Sequence, residues 1–168
     1  GKATVGAERC AGDPALRQSL RHLGANLMPL AIDEEGLAPL PARSHCDLVC
    51  VTPTAQVPTG ATMPIGRRRA LLRQAVERDF VILEDGSGDD LSTDDRPLPS
   101  LRSLDRHARV VYVTTLSRVL EPGLRLGVIV APPPLIRELR TLRRLAVHHP
   151  PRNNQRAAAF FIALGHLD

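Results

Sequence analysis

Lysine is nearly missing from this 168-residue chain: of its 22 lysines and arginines, Lys2 alone is a lysine. Chemistry that needs a side-chain amine therefore has one candidate, near the amino terminus. Aromatic residues are almost as scarce. Phe80, Tyr112, Phe160 and Phe161 are the whole set, so the core must be aliphatic and stacking platforms for nucleic-acid bases are lacking. No window approaches the ~18 uninterrupted apolar residues of a membrane span. The start, GKATVGAERC, has no basic-then-apolar signal pattern, and the expectation is a cytoplasmic protein without a membrane partner. Cysteines number three. Cys46 and Cys50 stand at the start of an apolar run and read as buried free thiols sharing one strand face, without metal-ligand spacing.

With 43% hydrophobic and 24% charged positions, the chain is long enough for one globular domain with a substantial core. A net charge of +4 raises a nucleic-acid partner. Arg137, Arg140, Arg143 and Arg144, however, recur at helical spacing around Leu139, Leu142 and Leu145, which favours a solvated amphipathic face. Arg152 and Arg156 continue that cluster, while the stretch from Glu84 to Asp95 is acidic.

Apolar runs of strand length alternate with helical patterns, predicting an α/β fold with a mostly parallel sheet. Six strands are expected, at Thr4 to Ala7, Asn26 to Ile32, Leu48 to Thr52, Phe80 to Glu84, Val110 to Thr114 and Arg125 to Val130. The runs are apolar almost throughout, as in strands covered on both faces. Helices are expected at Asp13 to Leu23, Arg67 to Arg78, Pro134 to Val147 and Asn153 to Leu164. Only the short turn Glu121 to Gly123 precedes the last strand, so that strand should run antiparallel to its predecessor. The polar stretch Gly86 to Pro99 reads as a lid-like or disordered loop.

Ligands of parallel sheets bind beyond the carboxyl ends of the strands. Three clusters stand there: Thr52 to Gly60, Glu84 to Ser87, and Thr114 to Arg118 running on to Arg125. Asp85 follows a buried run, where a carboxylate can hold a group at a fixed point or simply cap a loop. Thr115, Ser117 and Arg125 offer two hydroxyls and a guanidinium, a cup for a phosphate, or else turn chemistry with one surface arginine.

In order, the clusters resemble the aminotransferase-like domain of bacterial regulators of the MocR/GntR type. Val51 to Met63 is similar to that family's TPsHQfPtGvtM element, and Arg67 to Leu72 to the helix after it. Ile82-Leu83-Glu84-Asp85 resembles the iiEDDYD strand, and Val111 to Gly127 resembles viYvGTfSKtLxPgLRlGy. Ile32 to Leu37 and Phe161 to Asp168 match the elements that flank these, so the resemblance covers nearly the whole chain.

The resemblance implies a three-layer α/β/α sandwich, part of the large domain of a fold-type I, pyridoxal-phosphate-dependent aminotransferase. It also implies that residues 1–168 are a piece of a longer arrangement. The winged-helix DNA-binding domain, the first strand with its phosphate-gripping turn, and the carboxyl-terminal small domain are expected outside it. DNA contact would come only through that winged helix, and a homodimer is the expected assembly. Carried over by position, Asp85 is the partner of the pyridinium nitrogen, and Gln56, Pro58, Ser87, Thr115, Ser117 and Arg125 fall at cofactor-binding positions. The Schiff-base lysine position is Arg118, whose guanidinium cannot take the role of an amine. Ser87 stands for the tyrosine that contacts the ring hydroxyl, and Ala55 for the histidine of TPsHQ. The expectation is a degenerate domain without amino-group transfer, in which Arg118 marks decay of the site; the sharper reading beside it is that Arg118 and Arg125, assisted by Thr115 and Ser117, form an anion site for a phosphate or carboxylate effector. Two alternatives remain: a non-catalytic effector- or partner-binding module, and, remotely, a metal-dependent phosphotransfer enzyme using Asp85, Asp89 and Asp90.

Overall fold

A computed structural model describes residues 1–9, 14–89, 97–117, 120–149 and 151–166. The chain divides into two compact units, Gly1–Tyr112 and Val113–Asp168.

Unit 1 is built on parallel strands. β1 (Thr4–Glu8) lies between β2 (Asn26–Leu30) and β5 (Leu48–Val51), and β6 (Val81–Asp85) pairs with the far side of β5. Next to β6 comes the start of β7 (Val110–Thr115), where Ile82 N donates to the carbonyl of Arg109 at 2.8 Å. The strand order β2-β1-β5-β6 reverses direction between β1 and β5. That junction is the switch point where an open parallel sheet forms its crevice.

The expected strands appear with their ends moved by a residue or two. The run to Ile32 is broken: β2 stops at Leu30, and Ile32–Asp33 (β3) pairs instead with Gly36–Leu37 (β4) as a small antiparallel hairpin. Its turn needs a positive φ, which Gly36 supplies at 86°. Arg67 fastens the hairpin to α2 (Ile65–Glu77) by pairing with Asp33 and Glu35, both at 2.6 Å. Helix α1 (Pro14–His22) matches its expected extent where it is described, but Asp13 lies outside the described residues. The short helix α3 (Leu101–Leu104), started by Ser100 accepting from Ser103 N, was not legible. It falls just after the polar stretch, of which residues 90–96 are outside the description.

The core is aliphatic, as the scarcity of aromatics required. Leu30, Leu37, Val49, Val51, Met63, Leu71, Ile82, Leu101 and Val110 pack with Phe80, the one ring among them. Cys46 is buried in this cluster but precedes β5, so it does not share a strand face with Cys50. Both thiols are free, and burial pushes Cys50 up to about 11.

Unit 2 carries the end of β7, β8 (Gly127–Val130), α4 (Pro133–Val147) and α5 (Arg152–Ala163). After β7 the chain turns back through a 3-10 turn at Pro122–Leu124. Leu116 N donates to Leu126 O at 2.9 Å, and an added Cβ on Gly127 would meet Thr114 O at 3.1 Å. As the chain advances from 114 to 116 its neighbours fall from 127 to 126, so β8 runs antiparallel to β7, giving a mixed, mostly parallel sheet. Contrary to the expectation of strands covered on both faces, all four residues of β8 are exposed. The leucine stripe of α4 is likewise open, Leu142 and Leu145 being 59% and 76% exposed. Arg137, Arg140, Arg143 and Arg144 are solvated as expected. The described residues supply no layer to cover these apolar faces.

Candidate functional site

In unit 1 the strand ends carry the Thr52–Gly60 and Glu84–Ser87 clusters to one place. The loop after β5 is tied to itself: Gln56 N donates to Ala61 O, Met63 N to Pro53 O, and Thr59 Oγ1 to Gln56 Oε1 at 2.6 Å. From below it is held by Arg68, a fully buried guanidinium. This side chain donates to the carbonyls of Met63, Pro53 and Pro99 and to Thr54 Oγ1, at 2.8 to 3.1 Å. Planar and five-donor, guanidinium can serve several carbonyls at once. The loop after β6 then comes in close. Gly88 lies so near Thr54 that a Cβ would stand 2.3 Å from its carbonyl oxygen, and one on Gly86 would stand 2.2 Å from Tyr112 Oη. At Gly88 the obstacle is backbone and a side chain does not fit, whereas at Gly86 it is the far end of Tyr112, which would have to shift.

Asp85, at the end of β6, is half-buried, and its Oδ1 accepts from Ser87 N at 2.9 Å. Pro58 is exposed and follows a cis peptide bond. Gln56 is completely buried, which differs from a residue offered to a ligand in the open cleft. It lies instead by Glu8, a residue that the sequence reading passed over.

Glu8 ends β1 at the switch point, 3% exposed, and accepts from Thr52 N at 3.3 Å. Burial pushes its carboxyl up to about 7, opposed by the neighbouring Gln56 amide and the Thr52 N–H, with Asp85 adding a small upward push. Yet Glu8 Oε1 and Gln56 Nε2 both lack a hydrogen bond, so the two groups are neighbours without being bonded. The signal was available: Val5-Gly6-Ala7-Glu8 is an apolar strand ending in a carboxylate, the same pattern that singled out Asp85. Glu84 is a second buried carboxylate, accepting from Leu101 N and Arg102 N at 2.7 and 2.8 Å. It caps α3, and desolvation raises its pKa.

In unit 2, Thr115 Oγ1 accepts from Ser117 N at 3.1 Å and contacts Leu126 O at 3.4 Å. Ser117 is buried and its Oγ has no hydrogen-bond partner. Arg125, on the other arm of the same turn, is exposed and held in the left-handed region at φ 49°. A hydroxyl without a partner and a guanidinium are both donors of the kind that anions accept from. Arg118 lies outside the described residues. Of the acidic run, Asp89 accepts from Tyr112 Oη at 2.9 Å, and Asp90 is not described. Among the described residues no group of three His, Cys, Asp or Glu could hold a metal ion, and no helix is long and apolar enough to cross a membrane.

No protein-family profile matches the chain. Curated relatives do. The HTH-type transcriptional regulator TauR of Rhodobacter capsulatus is 43% identical over 94% of this chain and 32% of its own length. The HTH-type pyridoxine biosynthesis regulator PdxR of Corynebacterium glutamicum is 34% identical over 98% of this chain and 36% of its own. The probable rhizopine catabolism regulatory protein MocR of Rhizobium meliloti is 34% identical over 90% and 31%. This chain thus spans about a third of the length of the curated relatives it matches. Among solved structures, the kynurenine aminotransferase of Pyrococcus horikoshii superposes with a TM-score of 0.89 at 27% identity, covering 99% of this chain and 43% of that one. A multiple-substrate aminotransferase of Thermococcus profundus gives 0.90, also at 27% identity, over 99% and 44%.

Proposed function

We propose that this chain, which belongs with the aminotransferase-like region of MocR/GntR-type regulators and has the fold-type I aminotransferase fold, is an anion-binding module that does not transfer amino groups. The reading is carried by the buried, unpartnered Ser117 Oγ just past β7, and it draws on Arg118, which the family resemblance sets at the Schiff-base lysine position. Pyridoxal 5'-phosphate, when bound, supplies an electron sink for bonds at an amino acid's α-carbon. Taken unit by unit, Thr115, Ser117 and Arg125 of unit 2 offer donors suited to its phosphate, and Asp85 of unit 1 is a carboxylate of the kind that pairs with its ring nitrogen. The residues of this chain do not fit it at the aldehyde, because a guanidinium is protonated at any ordinary pH and its lone pairs are delocalised. No covalent step is therefore derived. In unit 2, Ser117, Thr115 and Arg125 orient an anion.

In this reading the anion is the effector of a regulator, DNA contact belongs to a winged-helix segment outside this chain, and the setting is the cytoplasm. A second reading, a homodimerisation module, draws on the exposed apolar strand β8.

Calorimetric titration with pyridoxal 5'-phosphate, and with inorganic phosphate as competitor, tests the first reading. Loss of one charge-assisted hydrogen bond costs about 1.5–3 kcal/mol. Arg125→Ala should therefore weaken binding by about ten- to a hundredfold, and Ser117→Ala by less. Equal affinities for the parent chain and both variants would contradict the assignment.

A further inference from the structure

A cavity of about 370 Å³ opens in unit 1 between α2 and the segment leading into β7, lined by Arg69, Leu72, Arg73, Val76, Arg106 and neighbours. It is not the strand-end site. Its residues precede β6 and β7, whereas Asp85 closes β6, and a five-residue strand spans roughly 16 Å.

The arginines of this region divide into two sets. Arg67 pairs with Asp33 and Glu35, Arg68 serves carbonyls, Arg78 donates to Pro41 O, Arg102 pairs with Asp105, and Arg109 pairs with Asp79. Arg69, Arg73 and Arg106 have no hydrogen-bond or ion-pair partner among the described residues, and all three line the cavity. Two acids also border it. Asp105, however, has its carboxylate occupied by His107 N, Val110 N and Arg102, leaving Glu77 alone against three guanidiniums. Arg69 and Arg73 lie one turn apart on α2, a like-charge arrangement that disfavours the helix until an anion relieves it. Between them the lining is aliphatic: Leu72, Val76 at 39% exposure, and Leu104. The volume lies within the range of small-molecule sites, which combine an apolar wall with a few charged groups.

We infer that this cavity binds a small amphiphilic anion, a carboxylate or similar head group on an aliphatic body, with Arg69, Arg73 and Arg106 on the head and Leu72, Val76 and Leu104 on the body. The site is independent of the strand-end anion site and of its proposed role.

Equilibrium dialysis of labelled octanoate against the whole chain tests it, with acetate and 1-octanol as separated head and body. Octanoate should bind saturably at about one per chain. Acetate and octanol should each bind at least about tenfold more weakly, a difference of ~1.4 kcal/mol. Arg69→Ala/Arg73→Ala should weaken octanoate by a similar factor or more, and Arg106→Ala, which leaves α2 intact, should act in the same direction. Arg140→Ala/Arg144→Ala on the solvated face of α4 should change nothing. The inference is overturned by octanol binding as well as octanoate, by cavity variants with unaltered circular dichroism that bind like the parent, or by no saturable binding at millimolar octanoate.

Discussion

Glu8 shows how a single carboxyl can set the pH response of the chain. Its folded pKa, about 7, stands above the ordinary 4.5 because burial penalises the charged form. The folded state therefore holds this proton more tightly than the unfolded state does. Stability from Glu8 is greatest below about pH 4.5 and is lost as pH rises through 7, by on the order of 3 kcal/mol. Glu84, also raised by desolvation, adds a fall of the same sign. Urea midpoints measured between pH 5 and pH 8 should decline for the parent chain and decline less for Glu8→Gln, which should be the more stable of the two at pH 8. A parent chain that gains stability over that range would contradict the burial argument. At this scale the sequence was only partly legible. Asp85 could be picked out because a carboxylate after Val81-Ile82-Leu83 is conspicuous. Gln56 was recognisable as a loop residue near the cleft, but nothing in a linear pattern shows that its amide turns inward to Glu8, since that depends on the meeting of β1 with the loop after β5.

At the level of elements, strands and helices were readable because apolar runs and 3.6-residue spacing survive in the sequence, and their ends shifted only where caps or hairpins intervened. Two features escaped. The β3–β4 hairpin is too short for any period, and α3 depends on a cap at Ser100 and on Glu84 accepting its leading N–H groups. Arg68 escaped for a related reason. In Arg67-Arg68-Arg69 all three residues look like a solvated face, yet one is exposed, one pairs with the hairpin, and the middle one is fully buried under the Thr52–Gly60 loop. Replacing Arg68 by methionine would leave the carbonyl of Met63 without its buried partner, while Pro53 O keeps Met63 N and Pro99 is open to solvent. An unsatisfied buried acceptor costs ~1–3 kcal/mol, and a loss of that size is expected. Arg68→Lys should recover only part, because an ammonium lacks the planar fork. Chemical denaturation with both variants checks this, and a methionine variant as stable as the parent would show that the loop does not lean on Arg68.

For the molecule as a whole, the chain's apolar surface is the dominant physical fact. Val128, Ile129 and Val130 of β8 are 39%, 47% and 42% exposed, and Phe160, Ile162 and Leu164 on or next to α5 are 61%, 47% and 71% exposed. The alternation of strands and helices announced a fold of this class. It could not announce open faces, because an apolar run looks the same whether or not its covering layer lies within the chain. An apolar strand at the end of a sheet invites pairing with another copy, and such contacts are insensitive to salt. Size-exclusion chromatography at tens of micromolar should show self-association that persists in 1 M salt, whereas a clean monomer throughout would argue that these faces are protected. Amino-group transfer is the reaction that separates a competent aminotransferase domain from a degenerate one. The chain is mixed with pyridoxal 5'-phosphate and a panel of amino acids, and formation of pyridoxamine 5'-phosphate is followed against a protein-free control. On the proposal that Arg118 takes the lysine's place, the rate should equal that of the control for every amino acid, whereas steady turnover above it would contradict the account.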